Sequence, residues 1–417
     1  MNELISIHEA QQIILSVKRK ISTQPCQVEE AYGRRLAENI LSPVNLPPFT
    51  NSSMDGFAVC SENTINASPH SPVHLPVKLD IPAGFAEQQN LTRGTAARIL
   101  TGAPLPIGAD AVVPIENTNQ SYSQQTISLP DAVAIFSAAK PGDNTRHEGA
   151  DIQSGQVVLK KGKILQPQDI GLLISLGIRQ VQVEKKVRAA VFTSGDELLT
   201  LDQPMTPGKI YDSNGYVLSG ALRNNGTELI QLGIARDNPE NIKSMLDEAV
   251  QNAPDLIIAS GGVSVGVFDY VHRAIAENGS IAFWRVNMRP GKPILFGYYR
   301  DIPFLGLPGN PVSSYIGCMV FALPLIRHLQ GLPPFNQKTI RVELAEPLES
   351  PDGRECYYRG IIRQEEGIHK AYLTGNQDSG NLFSLVQANA LLIVPAGQRL
   401  IPAGEEVTAW VLESGLE

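Results

Sequence analysis

Three loops rich in small residues follow one another between residues 261 and 311, and each lies beside an apolar run. They cover residues 261–266, 289–293 and 307–311. The run 255–259 before the first loop is short and rich in β-branched residues, which predicts a buried parallel strand. In open α/β folds, ligands bind at the carboxyl ends of such strands, where glycines let backbone N–H groups approach a phosphate or oxyanion. The loops therefore predict an α/β sheet with an anion site at its carboxyl edge.

The second and third loops add two cations and a helix start. Arg289 and Lys292 are flanked by prolines, which favours a fixed pose, although such pairs are more often solvated surface residues. Pro311 is predicted as the first residue of a helix that continues through Val312 to Leu329, because proline suits the first helical position.

Charge and cysteine content narrow the function classes. The 417 residues carry 34 basic and 42 acidic side chains and a net charge of -8, so no basic face for nucleic acid is expected. Cys26, Cys60, Cys318 and Cys356 lack C-x-x-C or metal-ligand spacing. This predicts reduced, mostly buried thiols rather than a zinc site or a disulfide framework.

The amino-terminal sequence predicts a cytoplasmic protein. Ser6 and Glu9 fit a capping box that opens an amphipathic helix toward Lys20, and the long apolar stretch of a signal peptide is missing. The longest apolar run, 315–326, contains Pro324 and is shorter than the roughly 20 residues that a spanning helix needs. No membrane association is therefore predicted.

Alternating apolar runs and turn residues predict a multidomain α/β and β fold. Strands alternate with helices in the segment that holds the three loops, as in a doubly wound parallel sheet. The segments before and after it consist mainly of β runs broken by proline and glycine. The predicted domains are a discontinuous α/β linking domain (1–53 and 146–185), an inserted β module (54–145), the doubly wound α/β domain (186–332) and a C-terminal β domain (333–417).

Two known anion-site motifs share features with the first loop. Its glycine spacing is that of a P-loop, but Val267 and Phe268 stand where lysine and a hydroxyl residue are required, which argues against a Walker nucleotidase. The sequence around Ser264 also reads G-x-S-x-G, the nucleophile elbow of an α/β hydrolase. The elbow lies two residues too far from its strand, and the downstream His328 and His369 fall in a predicted helix and in the tail. The hydrolase is therefore the less favoured alternative.

Three acidic residues are expected to face the first loop. Asp269 follows the loop by three residues, Glu197 follows a predicted strand at the same sheet edge, and Asp212 precedes a helix. Each one alone fits a capping or turn role. Together they predict a magnesium site beside bound phosphates, with Glu197 and Asp269 as the metal ligands.

Nine short motifs in order along almost the whole chain resemble one known family. They are SMDGFA (53–58), TGAPLP (101–106), GADAVV (108–113), SGDEL (194–198), SGGVSVG (260–266), PGKP (290–293), LPGNPVS (307–313), TGNQDS (374–379) and ANAL (388–391). Composition alone would make the first two tight turns. In this order the motifs resemble the molybdopterin molybdenumtransferases, the MoeA and gephyrin E-domain family.

The resemblance implies an elongated homodimer of four-domain subunits, with each cleft shared between the α/β domain of one subunit and the amino-terminal half of the other. It also implies the reaction. Adenylylated molybdopterin and molybdate enter, Mg²⁺ helps to break the phosphoanhydride, AMP leaves, and molybdenum stays on the dithiolene as molybdenum cofactor. Contact with the molybdopterin adenylyltransferase that supplies the substrate is expected.

By motif position, the resemblance implies three sets of site residues. The catalytic or metal-linked set is Asp55, Thr101, Glu197, Asp212 and Asp269, the pterin- or nucleotide-binding set is Gly261, Gly262, Ser264, Gly266, Pro308 and Pro311, and the molybdate set is Arg289, Lys292, Ser313, Arg359 and Ser384.

A binding or scaffold protein of the same fold with weak catalysis is the alternative function. It is suggested by residues that depart from the usual family pattern. These are Thr50 for Asp, Phe57 for Tyr, Arg289 for Lys, Asn381 for Arg, and Val267 with Phe268 where a polar or acidic pair is frequent. The guanidinium of Arg289 keeps the positive charge and offers a planar fork that suits oxyanions. Since the acidic residues are retained, the transferase is the favoured interpretation.

Overall fold

The computed structural model describes residues 4–84, 88–121, 128–262, 270–335 and 337–412. Its helices are α1 (Ile7–Leu15), α2 (Pro167–Ser175), α3 (Ser213–Asn224), α4 (Pro239–Gln251), α5 (Tyr270–Asn278), α6 (Pro311–Gly317), α7 (Leu323–Leu329) and α8 (Leu382–Gln387). Its strands are β1 (Thr23–Gln27), β2 (Ile40–Leu41), β3 (Asn51–Ser52), β4 (Gly56–Val59), β5 (Val73–Ile81), β6 (Ala96–Ile99), β7 (Ala111–Pro114), β8 (Ala132–Ile135), β9 (Thr145–Arg146), β10 (Val157–Leu159), β11 (Gln180–Glu184), β12 (Arg188–Ser194), β13 (Leu198–Leu199), β14 (Ile210–Tyr211), β15 (Glu228–Ala235), β16 (Leu256–Ser260), β17 (Gly279–Trp284), β18 (Met288–Arg289), β19 (Leu295–Tyr299), β20 (Ile302–Leu307), β21 (Thr339–Leu344), β22 (Leu348–Glu349), β23 (Glu355–Glu365), β24 (Ile368–Leu373), β25 (Ala390–Val394), β26 (Leu400–Ile401) and β27 (Glu406–Val411).

The chain folds into two compact units. One contains Met1–Ser22 with Lys185–Glu417, and the other contains Thr23–Glu184. The first unit holds the predicted α/β and C-terminal β domains together with the amino-terminal helix.

The α/β domain is built on a six-stranded sheet in the order β15-β12-β16-β20-β19-β17. The first four strands run parallel, as predicted for a doubly wound fold. The last two strands form an antiparallel extension that the sequence did not predict. It arises because Arg300 and Asp301 turn tightly between β19 and β20, both with positive φ, where a parallel connection would need a helix.

Helices cover both faces of this sheet, because alternate residues of one strand are buried in two different clusters. Ala189 and Val191 of β12 pack with α1, α3, α6 and α7, whereas Ala190 and Phe192 pack with α4 and α5. Because successive side chains of a strand point to opposite faces, a strand covered on both sides reads as a continuous apolar run. The doubly wound prediction is confirmed.

Helix α1 belongs to the core of the α/β domain. Its capping box is formed as predicted, since the Glu9 N–H donates to Ser6 Oγ at 3.1 Å and the Ser6 N–H donates to Glu9 Oε2 at 2.9 Å. The helix ends at Leu15 rather than continuing toward Lys20. Its apolar face packs against α/β residues, although the predicted division placed it in the linking domain.

The segment Pro311–Leu329 is one helical run interrupted by a π-helical turn at Cys318–Ala322. Pro324 has no N–H to donate to the carbonyl of Val320. Gln11 of α1 supplies the missing donor, with its Nε2 3.1 Å from that carbonyl oxygen. By length and mean hydropathy, 1.4, this segment could cross a membrane, but 78% of it is buried inside the fold, where it acts as a core helix.

In the second unit, the chain leaves and returns through paired strands. β1 pairs with β11 and β2 with β10, both antiparallel, so residues near each end of the unit meet. Between them lies a five-stranded sheet in the order β7-β4-β6-β5-β8. This pairing supports an inserted β module, although its predicted boundaries remain a prediction.

The C-terminal β domain is a closed ring of strands. The order β23-β24-β21-β27-β25 returns to β23, because β25 pairs with both β27 and β23. Strand β18 of the second loop adds to this ring in parallel with β23, which places Arg289 opposite Cys356. The ring therefore fixes the position of the cationic loop.

Candidate functional site

Two cavities lie in the first compact unit, where the predicted loops end. We call the first the basic cavity, which encloses about 330 Å³. It is lined by Arg289, Pro290, Gly291, Lys292, Pro293, Pro308, Asn310, Ser313, Arg354, Cys356, Tyr357, Tyr358, Arg359, Gln377, Asp378 and Ser379.

We call the second the acidic cavity, which encloses about 540 Å³. It is lined by Thr193, Ser194, Glu197, Leu198, Ile210, Tyr211, Asp212, Ser213, Asn214, Asp237, Ser260, Gly261, Gly262, Pro293, Pro308, Gly309, Asn310, Pro311 and Gly380. Pro293, Pro308 and Asn310 line both cavities, so the two are neighbours that share a wall.

Arg359 is the most deeply buried cation of the basic cavity, with 1% of its surface exposed. Its Nε donates to Ser384 Oγ at 3.0 Å and its Nη2 donates to the carbonyl of Asp378 at 3.0 Å. Burial lowers the pKa of this guanidinium to about 10. Its hydrogen bonds go to neutral oxygens and no carboxylate among the described residues forms an ion pair with it, although the charge of Asp378 acts on it from farther away. This arrangement favours an anionic ligand.

Arg289 and Lys292 bring two exposed cations to the same cavity. Within the described part of the chain neither forms an ion pair. Ser313 adds a hydroxyl from α6, and its residue is 4% exposed. The structure thus brings four of the five predicted molybdate residues together, while Ser384 lies behind Arg359 and holds it.

The glycine at the start of the first loop is required by a close backbone approach. At Gly261 φ is 100°, and a Cβ would lie 2.4 Å from the Ser194 carbonyl oxygen. The Gly261 N–H donates to the Leu307 carbonyl at 3.0 Å, which ties the first loop to the third. Gly261 and Gly262 consequently line the acidic cavity beside Pro308 and Pro311, as predicted.

Glu197, Asp212 and Asp237 are the acidic residues that line this cavity. Asp237 follows β15 just as Glu197 follows β12, so both lie at the carboxyl edge of the sheet. Burial raises the pKa of the Asp237 carboxyl, and the charges of Asp196 and Glu197 raise it further. Such repulsion between carboxylates is relieved by a cation.

Asp212, by contrast, uses both carboxylate oxygens within the fold. Oδ1 accepts the Gly215 N–H at 3.0 Å as the N-cap of α3, and Oδ2 accepts the Thr193 hydroxyl at 2.8 Å. The residue is 9% exposed. This geometry supports a capping role, so the catalytic assignment of Asp212 remains a prediction with a structural alternative.

Two buried polar atoms that line the acidic cavity have no hydrogen-bond partner among the described residues. They are Ser194 Oγ and Asn214 Oδ1. The Nδ2 of Asn214 is fully used, since it donates to Ser260 Oγ at 2.9 Å and to the Gly309 carbonyl at 2.7 Å. An unpaired buried acceptor is costly, so Asn214 Oδ1 is an acceptor that the described residues leave unused.

Three family models match successive segments of the chain. The MoeA N-terminal region (domain I and II) matches residues 5–177, a probable molybdopterin binding domain matches 190–328, and the MoeA C-terminal region (domain IV) matches 341–412. The chain belongs to the MoeA family.

Relatives and solved structures of the MoeA family are similar to this chain over nearly its full length. The molybdopterin molybdenumtransferase of Nostoc sp. is 37% identical, with 96% of this chain and 92% of that protein covered. Molybdopterin molybdenumtransferase 2 of Mycobacterium tuberculosis is 36% identical, with 98% and 99% covered. Two structures of the molybdopterin biosynthesis MoeA protein of Pyrococcus horikoshii have TM-scores of 0.81 and 0.77 at 31% and 29% identity, covering 98% of this chain and 99% and 100% of theirs.

Two of the residues predicted from the MoeA resemblance lie in the second compact unit and contact each other. The backbone N–H and the hydroxyl of Thr101 both donate to Asp55 Oδ1 at 2.7 Å. Each residue was assigned to the site from the resemblance, but the contact between them was not predicted, and their part in catalysis remains a prediction.

Ser264, Gly266 and Asp269 lie outside the described residues. Among those that are described, no three His, Cys, Asp or Glu side chains converge as a metal site. His328 and His369, the partners that a serine hydrolase would need, do not line the acidic cavity. His328 instead lies 2.9 Å from the Val17 carbonyl through its Nε2.

Asp237, Asn214, Ser194 and Arg354 are among the cavity-lining residues that were not predicted as site residues from the sequence. A usable signal existed for Asp237, because an acid directly after a predicted parallel strand falls at the ligand-binding edge. The amide of Asn214 and the guanidinium of Arg354 carried no such signal, because their roles depend on contacts between distant segments.

Proposed function

We propose that this chain inserts molybdenum from molybdate into adenylylated molybdopterin, with cleavage of the phosphoanhydride and release of AMP. It acts as a transferase of molybdenum cofactor biosynthesis. The observation that carries the proposal is the shared wall of Pro293, Pro308 and Asn310, which joins a cationic cavity to a glycine-rich cavity with acidic residues. An oxyanion and a nucleotide-linked pterin held on the two sides of this wall would meet without diffusing freely.

Molybdate occupies the basic cavity. It is a tetrahedral dianion, and Arg289, Lys292 and Arg359 supply cations that the described residues leave without carboxylate partners. Fixed cations and hydroxyl donors stabilise such an anion more strongly where water is excluded. Ser313 donates from α6, and Ser384 keeps the Arg359 fork in place.

The adenylylated pterin occupies the acidic cavity. Gly261 and Gly262 let its phosphates approach the backbone, and the predicted Ser264 and Gly266 continue the same loop. Pro308 and Pro311 shape the opposite side. Asn214 Oδ1 accepts from an N–H donor of the ligand, since this buried atom has no partner within the described ranges.

Mg²⁺ binds at the acidic edge of this cavity. Glu197 and Asp237 fit it as oxygen ligands, because the pKa of Asp237 is raised by its carboxylate neighbours and a cation would offset that repulsion. The predicted Asp269 supplies a further carboxylate. When bound, the ion offsets negative charge on the phosphoanhydride as it breaks. Asp55 and Thr101 are proposed to assist catalysis as a hydrogen-bonded pair.

The oligomeric state, the cellular location and the protein partner are part of the same proposal. The chain acts as a homodimer in the cytoplasm and receives its substrate from the molybdopterin adenylyltransferase. Sedimentation equilibrium tests the dimer, and a binding measurement with the purified adenylyltransferase tests the contact. A single-chain mass at micromolar concentration would exclude the dimer.

Release of AMP tests the reaction. The purified chain is incubated with adenylylated molybdopterin and Mg²⁺, with or without molybdate, and AMP is quantified. We expect release that depends on molybdate and falls at least tenfold in Arg359→Gln. Arg341→Gln, which removes an exposed arginine of the C-terminal β domain, serves as the matched control. Substrate binding without AMP release would instead favour the scaffold alternative.

A further inference from the structure

Arg354 differs from the other cations that line the basic cavity, because it already has a carboxylate partner. Its Nε donates to Asp352 Oδ2 at 2.6 Å, and its Nη2 donates to the same oxygen. Its Nη1 donates to the Met288 carbonyl at 3.3 Å. Arg354 lines the cavity with a side chain that is 21% exposed, and Asp352 lies beside it with a side chain that is 40% exposed.

The guanidinium keeps donors for a ligand. Arginine has five N–H groups, and three are used by Asp352 and Met288. The remaining two, one on each terminal nitrogen, have no acceptor within the described part of the chain. An oxyanion in the basic cavity can therefore bind these two N–H groups of Arg354 while Asp352 occupies the other edge of the guanidinium.

Asp352 carries its negative charge next to the cationic wall of the basic cavity, since it accepts hydrogen bonds from Arg354, which lines that cavity. Strand β18 is paired with β23, so Arg289 stands opposite Cys356, two residues beyond Arg354. The hydrogen bonds from Arg354 lower the pKa of Asp352, and the charge of Arg289 adds to that effect. The carboxyl is ionised at neutral pH, and it both shares Arg354 and repels an incoming anion.

We propose that Arg354 is a further oxyanion-binding residue of the basic cavity and that Asp352 sets the affinity and charge preference of the cavity. The inference rests on the proposed function, because it takes molybdate as the anion. Without Asp352, the cavity would hold a dianion more tightly and release it more slowly. The electrostatic effect scales with the charge of the ligand, so a dianion is affected twice as strongly in free energy as a monoanion.

Calorimetric binding to the full chain at low ionic strength tests this, with molybdate and perrhenate as tetrahedral anions of charge two and one. Asp352→Asn is expected to tighten molybdate about tenfold and perrhenate about threefold, and Arg354→Gln to weaken molybdate about tenfold. Glu406→Gln and Arg341→Gln are the matched controls. They break an exposed pair on β21 and β27 with the same changes in net charge, and we expect less than twofold effects.

Each outcome decides the inference. Unchanged or weaker molybdate binding by Asp352→Asn, or an equal gain in Glu406→Gln, would overturn it. If thermal melting shows that Asp352→Asn is unfolded, Arg354→Lys is tested in its place. Wild-type affinity for molybdate in Arg354→Lys would show that the guanidinium makes no contact with the anion. Failure of the wild-type chain to bind molybdate or to release AMP rejects the proposed function itself. Normal wild-type binding with unshifted variants rejects only the role of the Asp352–Arg354 pair.

Discussion

Arg359 Nε donates a hydrogen bond to Ser384 Oγ at 3.0 Å, and both residues are buried. The Ser384 hydroxyl in turn donates to the Asn381 carbonyl at 2.6 Å. The Ser384 hydroxyl therefore accepts one hydrogen bond and donates another. These bonds fix the plane of the Arg359 guanidinium from the side that faces away from the basic cavity. The predicted molybdate residue Ser384 is thus a positioning residue in this geometry.

Ser384→Ala is expected to weaken molybdate binding with little change in kcat. A hydrogen bond to a charged group contributes about 1.5–3 kcal/mol, so the unpaired guanidinium N–H should raise the KM for molybdate by tenfold or more. Steady-state AMP release at varied molybdate measures this. Ser219→Ala is the control, because Ser219 is equally buried and its hydroxyl has no partner within the described residues. An unchanged KM in Ser384→Ala would remove the positioning role.

The affinity for molybdate should fall at high pH through Arg359. Burial lowers the pKa of this residue to about 10. Below that pH the guanidinium is cationic and binds the dianion, and above it the neutral form loses the attraction. The measurement is calorimetry between pH 8 and 10.5 on Lys292→Arg, which removes the lysine amine from the cavity. We expect the affinity for molybdate to stay constant up to about pH 10 and to decline above it. The same decline in Arg359→Gln would assign the titration to another group.

Asp237→Asn should separate stability from activity. Burial and the charges of Asp196 and Glu197 raise the pKa of Asp237, so the folded chain holds this proton more tightly than the unfolded chain. The protonated Asp237 carboxyl therefore stabilises the fold at low pH, and this stabilisation is lost as the pH rises through the raised pKa. At pH 7 the amide should therefore increase Tm by a few degrees while AMP release falls at least tenfold. Mg²⁺ should raise the Tm of the wild-type chain more than that of Asp237→Asn.

Asp212 offers a test of capping against catalysis. Asp212→Ala removes the N-cap of α3 and the partner of the Thr193 hydroxyl, and loss of such a cap costs about 0.5–2 kcal/mol. Asp212→Asn keeps an oxygen that can cap the helix, so urea unfolding should find it near wild-type stability. If Asp212 only caps, Asp212→Asn also retains most AMP release, whereas Glu197→Gln does not. A folded but inactive Asp212→Asn would restore its catalytic assignment.

The sequence predicted those parts of the molecule that local patterns determine. Ser6 and Glu9 specify their capping box within four residues, and the apolar runs of β12 and β16 specify a sheet covered on both faces. The antiparallel edge was missed because β19 and β20 are joined through two non-glycine residues with positive φ, a turn without a sequence signature. The packing of helix α1 against the α/β domain was not predicted, because an apolar helix face does not specify the surface that it packs against.

Local sequence patterns likewise predicted only some of the residues that form the two cavities. Glycines and prolines marked the three loops, but Arg359 and Ser384 were predicted only from the family resemblance, because β23 and α8 reach the loops through tertiary structure. Asn214 is informative only because its Oδ1 is buried without a partner, and no sequence pattern contains that fact.

Gly261→Ala tests the most constrained backbone position of the acidic cavity. A Cβ there would lie 2.4 Å from the Ser194 carbonyl oxygen and 2.9 Å from Ser194 Oγ, with φ at 100°. Strained backbone of this kind costs about 1–3 kcal/mol, and the backbone contact adds to it. We expect Gly261→Ala to lower the free energy of unfolding by at least this amount and to abolish AMP release. Gly220→Ala in α3 is the control, since its Cβ meets open space, and the substitution should stabilise the chain by about 0.4–1 kcal/mol. Wild-type stability and activity in Gly261→Ala would contradict the tight packing of the first loop against Ser194.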